Sequence, residues 1–141
     1  MRYIGLDLGT KTIGVALSDV THTISSPLKT IRFAEGDFNS AIPEIKELVE
    51  QFNVEKIILG LPKNMNNTIG ESGDRALLFK DTIEESLDVP VIMQDERLST
   101  VEATNYMLEA DISRKKRKQK IDGLAANIIL QTYLDKERGR G

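Results

Sequence analysis

The 141-residue chain has no cysteine, no tryptophan and a single histidine, His22. Without cysteine there are no disulfides and no thiolate metal site, and a reducing cytoplasm is the natural compartment. One His and no Cys leave zinc few ligands, so a metal held here would be held by oxygens, which points to Mg²⁺ or Mn²⁺. Aromatic residues make up only 5% of the chain, with no visible platform for stacking bases, so any nucleic acid would be recognised by shape or backbone. No apolar run approaches the length of a bilayer span, and Met1-Arg2-Tyr3-Ile4 enters a strand without a signal-peptide pattern. The expectation is a cytoplasmic protein with no membrane partner. A net charge of -3 argues against coating nucleic acid by bulk charge but leaves room for a local basic patch. No repeat, low-complexity tract or linker divides the sequence, so one domain is expected over 1–141, with a polar tail from Asp135 to Gly141 that frays.

What is present begins with a strand, Tyr3 to Leu8, apolar on both faces except for Asp7. A carboxylate in a buried strand needs a cation, a metal or a ring of donors, because an unpaired buried charge costs several kcal/mol. Gly9 turns the chain, and Gly14 keeps a second strand, Thr12 to Leu17, close to the first. A third strand, Ile24 to Ile31, contains Pro27 and suits an edge. Gly36 and Asp37 open a helix carrying Ala41, Ile42, Ile45, Leu48, Val49 and Phe52, with Pro43 in its first turn. Lys56 to Gly60 reads as a buried strand, Leu61 to Ser72 as a polar loop, and Gly73 to Ser86 as a helix with Ala76, Leu77, Lys80 and Ile83 at helical spacing. Val89 to Met93 reads as a strand that Pro90 places at an edge, Val101 to Leu108 as a helix capped by Ser99 or Thr100, and Ile121 onward as a deeply packed helix. Right-handed crossovers then give an α/β fold with a mixed five-stranded sheet of order 3-2-1-4-5 and helices on both faces.

Three acidic positions converge on one end of that sheet: Asp7 ending the first strand, Asp95 or Glu96 after the fifth, and Asp122 in the first turn of the last helix. Ligands collect at such ends, where the strand order reverses. Two carboxylates about 4 Å apart repel by about 4 kcal/mol at an effective dielectric near 20, so the cluster requires a cation. Two Mg²⁺ ions shared by such acids can activate a water and stabilise the leaving oxygen of a phosphodiester. Taken singly each acid has a plainer reading: Asp122 as a helix N-terminal acid, Asp95 and Glu96 as a solvated turn paired with Arg97.

The chain resembles the YqgF family, relatives of the RuvC-type Holliday junction resolvases in the ribonuclease H-like superfamily. The resemblance rests on Gly5-Leu6-Asp7-Leu8-Gly9 with Ile13-Gly14-Val15-Ala16, on Leu59-Gly60-Leu61-Pro62-Lys63-Asn64-Met65, on Asp95-Glu96-Arg97-Leu98-Ser99-Thr100 with Glu102-Ala103, and on Ile121-Asp122 with Ala125-Ala126 and Leu130-Gln131. It implies a three-layer fold and a catalytic, metal-binding triad of Asp7, Glu96 and Asp122, with Asp95 as a supporting or alternative ligand. It also implies a metal-dependent nuclease that processes the 5′ end of pre-16S rRNA, on the pre-ribosomal small subunit, or else a Holliday junction resolvase acting on branched DNA. The chain departs from the family pattern at Asn66-Asn67, where Gly is common at the second position; Asn tolerates the same left-handed backbone.

Substrate grip is expected from Lys63, Asn64 and Arg75 on one side, Arg97 by its two-pronged fork, and the basic run Arg114, Lys115, Lys116, Arg117, Lys118 and Lys120. The run also reads as a solvated connector, and Arg97 as an ion-pair partner orienting Glu96. Asp7-Leu8-Gly9-Thr10 is also how actin-like and sugar-kinase ATPases begin, but those need a second lobe for which 141 residues have no room. A ribosome-assembly module with a degenerate site is the remaining alternative. No exposed apolar face predicts more than a monomer or a weak homodimer, and a resolvase cutting two strands symmetrically needs the dimer.

Overall fold

The computed structural model describes residues 1–61, 70–95 and 123–137. Five strands, β1 (Arg2–Leu8), β2 (Thr12–Ser18), β3 (Ser25–Arg32), β4 (Val54–Leu61) and β5 (Val91–Asp95), form one sheet in the order β3-β2-β1-β4-β5. β1 pairs antiparallel with β2 and parallel with β4, and β4 pairs parallel with β5. The C-terminal ends of β1, β4 and β5 therefore lie on one side, at the strand where the order reverses. Edge strand β3 holds Pro27 opposite Ala16, where the register shifts, so the missing N–H breaks no central ladder.

Strand alternation sorts the core into two layers. Ile4 and Leu6 of β1, Ile13 and Val15 of β2, and Ile57 and Leu59 of β4 pack against helices α1 (Ile42–Phe52) and α2 (Glu71–Ser86). Tyr3, Ala16 and Ile58 turn the other way, onto Ala126, Ile129, Leu130 and Leu134 of helix α3 (Leu124–Glu137). Phe79 of α2 is fully buried and meets Phe38 edge to face, with ring centroids 5.3 Å apart.

Several boundaries differ from the sequence reading. The first helix starts at Ile42, because a 3-10 turn over Phe38–Ala41 comes first and Pro43 then occupies an initial helical position. The fifth strand is Val91–Asp95 rather than Val89 to Met93: Pro90 ends the approach to the strand, so Asp95 belongs to the strand and does not follow it. The last helix begins at Leu124 rather than Ile121, because Gly123 takes φ +81° and its carbonyl accepts the first helical bond, from Asn127 N. Asp122, expected in the first turn of this helix, lies outside the described residues. The helix runs on to Glu137, into the stretch read as a tail, because Glu137 accepts hydrogen bonds from Tyr3 and Lys56. The helix expected over Val101 to Leu108 lies outside the described residues.

Close approach of α3 to the sheet depends on missing side chains. A β-carbon on Gly5 would stand 2.8 Å from Leu130 Cβ and 2.9 Å from the Ala126 carbonyl oxygen, whereas one on Gly14 would meet nothing nearer than 3.6 Å. Gly5→Ala should therefore destabilise the fold by about 1–3 kcal/mol and Gly14→Ala by less than about 1 kcal/mol, read from urea unfolding midpoints. Equal losses at both sites would contradict this account of the layer contact.

Candidate active site

Asp7 is the second-last residue of β1, on the face that also carries Tyr3 and Gly5 and that α3 covers. It pairs across the ladder with Gly14 of β2. A β-carbon at Gly14 would stand 3.8 Å from Asp7 Cβ, 3.6 Å from Gly123 Cα and 3.7 Å from Ala126 Cβ. Asp7 and the start of α3 thus meet over the bare backbone of Gly14. Asp7 is half-buried and has no hydrogen-bond or ion-pair partner among the described residues.

Gly123 is fixed at this junction by two constraints. Its φ of +81° lies in the left-handed region, and a β-carbon on it would collide with the Val15 carbonyl oxygen and approach Leu28 N to 3.2 Å and Lys29 O to 3.3 Å. The helix start is seated in the seam between β2 and β3.

Further along α3, hydrogen bonds lock the register of the helix on the sheet. Ser25 N donates to Gln131 Oε1 at 2.9 Å, Ser25 Oγ donates to Asn127 Oδ1 at 2.6 Å, and Gln131 Nε2 donates to the Thr23 carbonyl at 3.0 Å. At the far end Lys56 Nζ reaches Tyr133 Oη and Glu137 Oε2, both at 3.2 Å. Burial opposes the Lys56 charge, but these hydrogen bonds outweigh it and hold the ammonium above the ordinary lysine range. Burial likewise opposes the Glu137 charge, and the bonds from Lys56, Tyr3 and Tyr133 override it to hold that carboxyl low. His22, read as a loop residue, sits in the β2–β3 loop at φ 57°, stacked on Tyr3 at 3.9 Å, with Nε2 3.1 Å from Glu55 and 3.0 Å from the Met1 carbonyl oxygen. Its role is to tie down the N-terminal strand at the end of the sheet away from Asp7.

Of the other residues singled out by sequence, Asp95 ends β5, its backbone level with Leu61 at the C-terminal end of β4. Arg75 is half-buried on α2, in the layer opposite α3, and is not brought to the face that Asp7 occupies. Glu96, Asp122, Lys63, Asn64, Arg97, Arg114, Lys115, Lys116, Arg117, Lys118 and Lys120 lie outside the described residues. Sequence reasoning passed over Gly123 and Gln94. Gln94 is 3% exposed, and its Nε2 has no hydrogen-bond partner among the described residues. A polar residue two past Ile92, at an inward-facing position of a strand, was the signal that could have found it.

A mixed sheet of this order, with helices on both faces and an acid at the end of its central strand, defines the RuvC-like ribonuclease H class of fold. Thermus thermophilus RuvC, solved in complex with a Holliday junction substrate, superposes with a TM-score of 0.68 at 15% identity, over 99% of this chain and 96% of that one. The family model described as "RuvX: Holliday junction resolvase" matches residues 1–136, and the chain belongs to that family. A relative from Bacillus cereus is 50% identical over 137 residues, covering 97% of this chain and 100% of its own. Another from Caldanaerobacter subterraneus is 48% identical over 139 residues, covering 98% and 99%. Both relatives bear the name "Putative pre-16S rRNA nuclease".

The seat of Gly123 is directly testable. Gly123→Ala should cost about 2 kcal/mol or more in urea unfolding, since strain at a positive φ adds to a collision with backbone that cannot step aside. A variant as stable as the parent would mean that the helix start is not seated between β2 and β3.

Proposed function

We propose that this chain is a metal-dependent nuclease that hydrolyses phosphodiester bonds, with the 5′ end of pre-16S rRNA as its substrate in ribosome maturation. The observation that carries the reading is the half-buried Asp7 carboxylate, without a described partner, facing the start of α3 across Gly14 at the reversal point of the sheet. Hard oxygen donors suit Mg²⁺ or Mn²⁺, and among the described residues Asp7 is free to offer them. Asp7, Glu96 and Asp122, with Asp95 in support, would hold the ions. Two ions so bound supply an activated water and charge stabilisation at the leaving oxygen.

Chain connectivity supports this ligand set. Asp122 immediately precedes Gly123 in the sequence, next to the start of α3. Glu96 follows Asp95, the last residue of β5. The protein's own part would be to hold these carboxylates together and to orient the phosphodiester. For the second task Lys63, Asn64, Arg97 and the run Arg114 to Lys120 supply cations and donors, each phosphate neutralised adding close to one unit to the salt slope of binding.

The relatives' name favours pre-16S rRNA, and with it the pre-ribosomal small subunit as partner. The family description favours the second reading, a Holliday junction resolvase acting as a homodimer on branched DNA. No helix among the described residues is long and apolar enough to cross a membrane.

Purified protein and its Asp7→Asn variant, given a pre-16S-like RNA and a four-way DNA junction with Mn²⁺, Mg²⁺ or EDTA, test the reading. The RNA should be cut only with metal, and Asp7→Asn should slow cutting by roughly a thousandfold, several kcal/mol of transition-state stabilisation. Cleavage of the junction alone would select the resolvase. RNA bound but never cut would replace the nuclease with a binding module.

A further inference from the structure

Along β5, Val91 and Met93 pack into the α1/α2 layer and Ile92 into the α3 layer, so Gln94 lies on the α3 face of the sheet. Gln94 pairs with Gly60 of β4. Gly60 is one step beyond Leu59, which pairs with Leu6, the residue before Asp7. One row across the sheet therefore reads Gly14, Asp7, Gly60, Gln94, all on the face that α3 covers. Two strand spacings, about 10 Å, separate Asp7 from Gln94. Between them the row contributes only the backbone of Gly60.

Gln94 is 97% shielded from solvent, yet its Nε2 donates to nothing among the described residues. A buried donor left without an acceptor costs about 1–3 kcal/mol, and nearly all buried polar groups in folded proteins are paired. An apolar residue of similar length would fill the position without that penalty. The amide N–H₂ can only donate, so what it lacks is an acceptor. The row it shares with Asp7 is where the nuclease reading places a phosphodiester, whose non-bridging oxygens are strong anionic acceptors.

We propose that Gln94 is a substrate-binding residue whose side-chain amide donates a hydrogen bond to a non-bridging oxygen of a phosphodiester held over Gly60, between Gln94 and Asp7. The inference rests on the nuclease reading and adds to it a residue outside the acidic set. In the free protein the unpaired donor is a standing cost, and bound substrate removes it. Stability and affinity are therefore opposed at this position.

The opposition supplies the test. In Gln94→Met the apolar side chain removes the unpaired donor, and in Gln94→Glu a carboxylate faces the phosphate. Thermal unfolding is measured on the full chain, and binding of a short fluorescein-labelled RNA is followed by anisotropy in Ca²⁺, an ion of the same charge with looser oxygen geometry than Mg²⁺. Gln94→Met should melt at a higher temperature than the parent and bind the RNA about tenfold more weakly, the worth of one hydrogen bond to a charged acceptor. Gln94→Glu should bind more weakly still. Binding by Gln94→Met within about twofold of the parent would overturn the proposal and leave the nuclease reading intact. Joint loss of stability and binding in Gln94→Met would make the residue structural and also overturn it. A parent chain that binds no RNA would bring down both readings together.

Discussion

The seating of α3 on bare backbone is the contact on which the site depends. Leu130 and the Ala126 carbonyl occupy the space that a side chain on Gly5 would fill, and Gly123 enters the seam between β2 and β3 where only hydrogen fits beside the Val15 carbonyl. Because interiors are close-packed, such a helix cannot slide by even a methylene's width without losing these contacts. Its polar fastening to Ser25 and Thr23 near one end, and to Lys56 and Tyr3 near the other, fixes the remaining freedom along its axis. The start of α3 is thereby delivered to Asp7 over Gly14. The helix acts as a lever whose fulcrum is glycine.

That delivery explains how a carboxylate is sustained at the end of a central strand. Asp7 follows Ile4 and Leu6, both fully buried, yet is itself only half-buried, because the row it occupies is flanked by Gly14 and Gly60 rather than by large side chains. Glycines there lower local packing and leave polar backbone beside the acid. The site also lies where the parallel strands β1, β4 and β5 end together, at the reversal point of the sheet. Gln94 extends the same row on the other side of Gly60. Charge, donor and bare backbone follow one another across the sheet.

The fold was legible in the sequence to the extent that its periodicities were clean. Continuous apolar runs marked β1, β2 and β4; the spacing of Ile42, Ile45 and Leu48 marked α1; and the short links forced the meander that leads to the order β3-β2-β1-β4-β5. Boundaries failed where one residue's backbone conformation decides them. Gly123 at φ +81° immediately precedes α3, and no pattern of apolar residues announces the sign of φ. Pro90 was read as a strand residue when it in fact precedes the strand, which moved Asp95 inside β5. Within the site, Asp7 was conspicuous because a charge in an apolar strand is anomalous. Gln94 was less so, because a neutral amide beside Asp95 and Glu96 reads as one more polar residue of a turn until the strand is known to include it. Arg75 lies on α2, in the layer opposite α3, and its closeness in sequence to the polar loop did not announce which layer that helix joins.

The proposed cation site at Asp7, which faces the start of α3 across Gly14, is open to direct test. Titrating ¹⁵N-labelled protein with Mn²⁺ and following paramagnetic broadening of its amide signals tests it most directly, since the readout needs neither substrate nor cleavage. The account predicts selective broadening at Asp7, Gly14, Val15 and Gly123 at low Mn²⁺, abolished by Asp7→Asn, while the amides of Asp19 and Glu44 stay sharp. Broadening centred on those outlying acids, or a pattern unchanged by Asp7→Asn, would contradict it.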